Sequence, residues 1–168
     1  SIENVAKGNM NLIISHHFGR INEGSYNFWG LDQSTIRLGL EYSLTDKIEL
    51  GIGRSTYQKT IDGFVKYKIL RQDNMKMPFS LSYFGSMAIN TLKWDDPSRE
   101  NFFSSRLSFV NQLLIAKKFN NNLSLQLTPT HVHKNLVKRV IDQNNIFAIG
   151  AGGRYKLTKR FSVNAEYY

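Results

Sequence analysis

Two histidine pairs, His16-His17 and His131-Val132-His133, are the side chains of this sequence best suited to chemistry. Residues two apart on an extended strand share a face, so His131 and His133 could supply half of a zinc or copper site, with Asp142 or another loop donor completing it. His16 and His17 are adjacent, point to opposite faces and cannot hold one ion from the same face. There is no cysteine among these residues, which leaves no thiolate ligand and no disulfide here, and a lipid-anchored N-terminal cysteine is not expected. Histidines at a solvated or interfacial rim are the ordinary case. The expectation is therefore no metal site and no cofactor, with His131 and His133 as the candidate pair.

A hydrolytic reading would set His131 against Ser105 and Asn111 of the neighbouring strand, making an outer-leaflet lipid hydrolase. No Gly-x-Ser-x-Gly motif marks a nucleophile, and serine is common on a polar strand face, so no catalytic residue is assigned. Gly150-Ala151-Gly152-Gly153 lacks the Lys-Ser/Thr of a phosphate loop and precedes no helical pattern. Glycines there, like Gly51 and Gly53, suit a crowded interior where larger neighbours need room. Lys93-Trp94-Asp95-Asp96-Pro97 joins an aromatic anchor to two acids, too little for a calcium loop.

The elements that would position these residues are strands. About nine segments alternate apolar and polar side chains: 9–18, 35–44, 48–55, 61–70, 79–90, 103–117, 123–133, 146–157 and 161–168. Connections after the second, sixth and eighth are a few residues, and those after the first, fifth and seventh run to about a dozen; two depart from this scheme, the link after the fourth (71–78) being intermediate and that after the third (57–60) short. Short turns on one rim and long loops on the other describe an antiparallel up-and-down transmembrane β-barrel, its first strand running outward. No apolar run approaches the ~18 residues of a membrane-spanning helix, and the mean hydropathy of −0.36 is what alternation produces.

Period two also assigns the faces. On the polar face, Arg37, Glu41, Glu49, Lys66, Arg106 and Arg154 are expected to form a mutually compensating charge network in a narrow lumen, among small neutral residues such as Ser80, Ser82, Ser86, Thr128 and Thr130. The apolar face carries Leu38, Leu40, Leu50, Ile52, Leu107 and Leu113 and almost no charge, as a lipid face must. Tyr42, Tyr67, Phe79, Phe119, Tyr155 and Phe161 would make an aromatic girdle at the short-turn rim. Asn111 and Arg54 fall on the lipid face against this pattern, and Pro129 is expected at an edge or a strand end.

The 168 residues make one domain, 41% hydrophobic, with a formal charge of +9 from 22 basic and 13 acidic side chains. Much of the basic charge sits at strand ends and in connections, where it meets anionic headgroups as readily as phosphates, so nucleic acid is not expected as a partner. The long connections hold Trp29, Trp94, Lys134, Lys138 and Arg139, a cationic and aromatic set suited to outer-membrane lipids including lipopolysaccharide. A small apolar ligand or a protein partner at those loops is the other expectation. No charged-then-apolar leader precedes Ser1, so a signal peptide is expected to have been removed or to lie outside this sequence.

The stretches Ile14-Ser15-His16-His17-Phe18-Gly19, Phe28-Trp29-Gly30-Leu31-Asp32, Gly51-Ile52-Gly53-Arg54-Ser55 and Asp62-Gly63-Phe64-Val65-Lys66-Tyr67, with Ser162-Val163-Asn164-Ala165-Glu166-Tyr167-Tyr168, resemble a family of membrane-bound outer-membrane β-barrel proteins of unknown function in Bacteroidetes. The resemblance is most specific over the first 72 residues. It implies a barrel in a Gram-negative outer membrane and further strands after Tyr168, in keeping with the odd strand number, and it implies no catalytic residue. The expected role is passive: a small pore, a lipid- or ligand-binding barrel, or a scaffold. The rivals are a soluble lipocalin-like barrel binding an apolar ligand and the outer-leaflet hydrolase.

Overall fold

A chain whose side chains alternate in polarity can bury one face only as a strand, and a strand needs neighbours to satisfy its backbone groups. The computed structural model describes residues 2–73, 76–137, 139 and 141–168. Nine strands form: β1 (Met10–Phe18), β2 (Ser34–Ser43), β3 (Ile48–Ser55), β4 (Ile61–Leu70), β5 (Ser80–Ile89), β6 (Leu107–Lys118), β7 (Leu123–Lys134), β8 (Asn145–Lys156) and β9 (Ser162–Tyr167). They make one sheet in the order β1 to β9, each strand antiparallel to its chain neighbour. The sheet is all-β and up-and-down as the alternation requires, and it is not closed: β1 and β9 do not pair. It curls far enough that Arg37 and Glu41 of β2 line the same cavity, of about 420 Å³, as Glu166 of β9 and Tyr168.

The burial of the two faces is inverted relative to a water-soluble protein. Among the described residues, Leu114 is the one buried hydrophobic side chain, whereas Ser43, Glu49, Lys66, Ser82, Thr128 and Thr130 are all buried. Leu12, Leu38, Ile52, Leu127 and Ile149 lie outside, each more than half exposed at 67%, 52%, 58%, 52% and 71%. An apolar exterior around a polar interior is stable only where the exterior meets hydrocarbon. The same inversion disfavours the lipocalin-like alternative, which needs the apolar face inside.

Three tight turns of the lower rim use one device. Thr45 Oγ1 accepts the backbone N–H groups of Lys47 and Ile48 at 3.2 and 3.0 Å. Asn120 Oδ1 does the same for Asn122 and Leu123, both at 2.8 Å, and Thr158 Oγ1 for Arg160 and Phe161 at 3.2 and 3.1 Å. A short side-chain oxygen replaces the ladder partners that these N–H groups lose as the chain reverses.

Departures from the expected strands have local causes. Residues 103–106 form a 3₁₀ turn rather than the start of β6. Pro129 stands inside β7 and not at an edge: the β6–β7 ladder keeps its register but skips from Gln112↔Thr130 to Ile115↔Leu127, while Pro129 still faces Ile149 of β8. One missing N–H is thus absorbed by a local gap in the ladder. Arg54 does face outward, opposite Leu38, but next to the upper end of β3, within reach of headgroups rather than at the midplane. Asn111 also faces outward, and Tyr83 leans over Gly85 to donate its hydroxyl to Asn111 Oδ1 at 2.6 Å.

Candidate functional site

Strands β2 to β4 place their charges on facing positions of the inner wall. Arg37 of β2 crosses β3 to reach Asp62 of β4, donating from Nε to Oδ1 at 2.9 Å and from Nη2 to Oδ2 at 2.5 Å. Gly39 and Gly53 lie beneath its path, where an added Cβ would come within 2.6 and 2.4 Å of the guanidinium nitrogens. Gly51 likewise leaves space for the Phe64 ring, which packs on Phe84 with centroids 5.1 Å apart. Lys66 sits opposite Glu49 in the register, Nζ to Oε1 at 2.9 Å, and both are nearly sealed from solvent. Two buried ions hold their charge only when paired and fully hydrogen-bonded.

Further bonds come from the chain ahead of β1. Val5 N–H donates to Glu49 Oε2 at 2.7 Å. The Glu3 carbonyl accepts from Lys66 Nζ at 2.8 Å, and the Glu3 carboxylate pairs with Lys68 at 3.1 Å. Gly8 N–H closes the segment onto the Ser43 carbonyl at 2.8 Å. Residues 2–7 therefore lie against the inner wall and not beside the sheet, with both polar side-chain atoms of Asn4 buried and unpartnered among the described residues. Glu41 lines the cavity beside this cluster.

Two of the six charges expected on the inner face lie apart from this cluster. Arg106 donates from Nη1 to the Asn90 and Leu92 carbonyls at 2.7 and 2.5 Å and covers the Trp94 ring at 3.8 Å. It pins the β5–β6 loop at the upper rim. Arg154 faces inward opposite Ser124 and Asn164 near the lower rim, lining a wider opening of about 1010 Å³ with Arg71, Lys117 and Lys118. The structure thus brings together Arg37, Glu41, Glu49 and Lys66 and adds Asp62, Glu3 and the backbone of Val5.

The family described as "Membrane bound beta barrel domain (DUF5777)" matches residues 1–168. The chain belongs to that family. No curated protein and no solved structure matches it. The family supplies a membrane-bound β-barrel, and the buried polar face of the sheet supplies its polar interior.

The upper rim of this membrane-bound barrel carries the loop residues singled out by sequence. Trp29 has a positive φ of 52° within the Phe28–Gly30 turn, its ring 5.8 Å from Phe28, while Trp94 belongs to Arg106. Lys134 ends β7 opposite Ser108, and Arg139 N–H is held by Asp142 Oδ2 at 3.2 Å. Lys138 lies outside the described residues. In the β5–β6 loop, Asp96 Oδ1 accepts from the Ser98 hydroxyl and backbone N–H, which holds its carboxyl below the usual carboxylate range. His131 Nε2 and His133 Nδ1 both meet Asn145 Oδ1, at 3.0 and 2.8 Å. Ser105 is part of the 3₁₀ turn, and Asn111 is engaged by Tyr83.

Sequence reading missed Asp62 and the N-terminal segment. Asp62 shares a face with Lys66 four residues on, so strand parity alone could have found it. The N-terminal segment binds through backbone groups of Glu3 and Val5, which leave no mark on residue type.

Proposed function

We propose that this membrane-bound barrel works in a Gram-negative outer membrane, in a Bacteroidetes-type organism, as a passive element whose lumen is shut and whose upper loops make its contacts. The observation that carries this reading is the Glu49–Lys66 pair capped by residues 3–5. A wall whose ions are bonded to one another and to an internal segment offers little to a hydrated solute in transit. The role is that of a binding barrel or scaffold, in which the cationic and aromatic residue types of the upper connections, Trp29, Trp94, Lys134, Lys138 and Arg139, suit anionic lipid headgroups such as those of lipopolysaccharide, and no reaction is assigned.

The complete protein in a planar bilayer tests the first half. It should give no large steady conductance, and a large steady conductance would contradict the reading. Neutralising Lys134, Lys138 and Arg139 together tests the second half. Binding to anionic vesicles should weaken and its salt dependence flatten; unchanged affinity and salt response would remove the loops from the account.

A further inference from the structure

The two histidines of β7 form part of a three-donor cluster. Asn145 opens β8 directly opposite His133, and His131 is one pair further along the same outward face. Both imidazoles aim a ring nitrogen at one point, now filled by the Asn145 amide oxygen at 3.0 and 2.8 Å. Neighbouring aromatics hold the rings there: His131 stacks on Phe147 with centroids 4.7 Å apart and 24° between planes, and Phe109 lies 6.4 Å from His133. Lys134, next along the strand, points to the opposite face.

We propose that His131, His133 and Asn145 bind a borderline divalent cation of the zinc, nickel or copper class at the outer rim of the barrel. Such an ion takes imidazole nitrogen and amide-type oxygen at about 2.0–2.2 Å, and His131 Nε2 and His133 Nδ1 already converge on the Asn145 oxygen from 3.0 and 2.8 Å. A small rotation of the Asn145 amide moves its oxygen from the meeting point of the imidazoles to a flanking position and leaves space for the ion. Imidazole nitrogen selects this class, and a single neutral oxygen excludes calcium and magnesium, which require oxygen-rich shells. The remaining positions open toward the headgroup layer, where water or an anionic oxygen can fill them. This site is on the outer face and independent of the closed lumen.

The test uses complete protein without a polyhistidine tag, in detergent, titrated with Cu(II) and read by calorimetry and by nitrogen coupling in the electron spin resonance spectrum. We expect one strong site per chain whose spectrum carries two imidazole nitrogens, in the unmodified protein and in His16→Ala/His17→Ala alike. His131→Ala and His133→Ala should each weaken binding by at least about tenfold, the lower limit seen even for outer-shell partners of a metal. Asn145→Asp should tighten it by adding a charged oxygen. Affinity unchanged in both β7 variants, equal loss in the His16/His17 control, or a spectrum without imidazole nitrogen would each overturn the proposal. The spectrum of unmodified protein stands even if a variant fails to fold.

Discussion

The inner wall is built in two ways. From β2 to β4 it is charged, with Arg37–Asp62 and Lys66–Glu49 as ion pairs and residues 3–5 adding hydrogen bonds to the second. From β5 to β8, away from the basic residues Lys117, Lys118 and Arg154 of the lower rim, it is neutral: Gln112 Nε2 donates to Thr130 Oγ1 at 3.0 Å, Gln126 Nε2 to Thr128 Oγ1 at 3.1 Å, and Thr130 Oγ1 to the Thr128 carbonyl at 3.1 Å. Both sectors pair most of a polar interior, Asn4 in the first and Ser82 in the second keeping buried polar atoms without a hydrogen bond among the described residues, but they carry different penalties for error. Losing one member of a buried ion pair leaves an uncompensated charge, whereas losing one neutral partner leaves at most an unmet hydrogen bond.

The charged sector should therefore break hardest. Lys66→Met leaves Glu49 buried beside a carbonyl that has lost its donor, and should cost about 3–5 kcal/mol in unfolding from detergent. Adding Glu49→Gln to it should recover much of that loss, since no buried charge then remains. A single variant costing under ~1 kcal/mol would mean that water reaches Glu49 and that the sector is not sealed.

In the neutral sector, Gln112→Leu should cost only about 1 kcal/mol by the same measurement, because Thr130 keeps its bond to the Thr128 carbonyl. A cost equal to that of Lys66→Met would erase the distinction between the sectors. At the lower rim, Asn120→Ala removes two turn bonds that are open to solvent and should cost about 0.5–1.5 kcal/mol. The smallest effect is expected at the upper rim. The Asp96 carboxyl is held below its usual range mainly by the Ser98 hydroxyl, so its contribution to loop order is complete above the unfolded value and fades as pH falls through the lower folded one. Trp94 fluorescence should stay constant on acidification to the ordinary carboxylate range and change only below it; a transition inside that range would contradict the Asp96–Ser98 contact.

The difference between sectors also explains how much could be read in advance. Strand order, lower turns and the two faces were legible because period two needs only residue types, and Arg37, Glu41, Glu49 and Lys66 fell on the inner face by parity. Arg106 was misplaced because Phe103-Ser104-Ser105-Arg106 does not alternate and its guanidinium is drawn to loop carbonyls and to Trp94. Asn111 looked like an error on the lipid face until the register placed Gly85 beside it, leaving Tyr83 a path across. Asn145 carried no sign of its role, since an amide joins two histidines only once β7 and β8 are in register.

The central claim is that the apolar face of this sheet meets hydrocarbon while the inner face is closed to water. These 168 residues hold no cysteine; with any cysteine elsewhere in the complete protein replaced by serine, single cysteines can be introduced at neighbouring positions of each sector, Leu40 and Glu41 in β2 and Met87 and Ser86 in β5, and spin-labelled in bilayers. Labels at Leu40 and Met87 should relax strongly with oxygen and weakly with a water-soluble nickel chelate, and labels at Glu41 and Ser86 should be shielded from both. Strong nickel relaxation at Glu41 and Ser86 would show an open aqueous lumen, and at Leu40 and Met87 an aqueous exterior; either result would contradict the account.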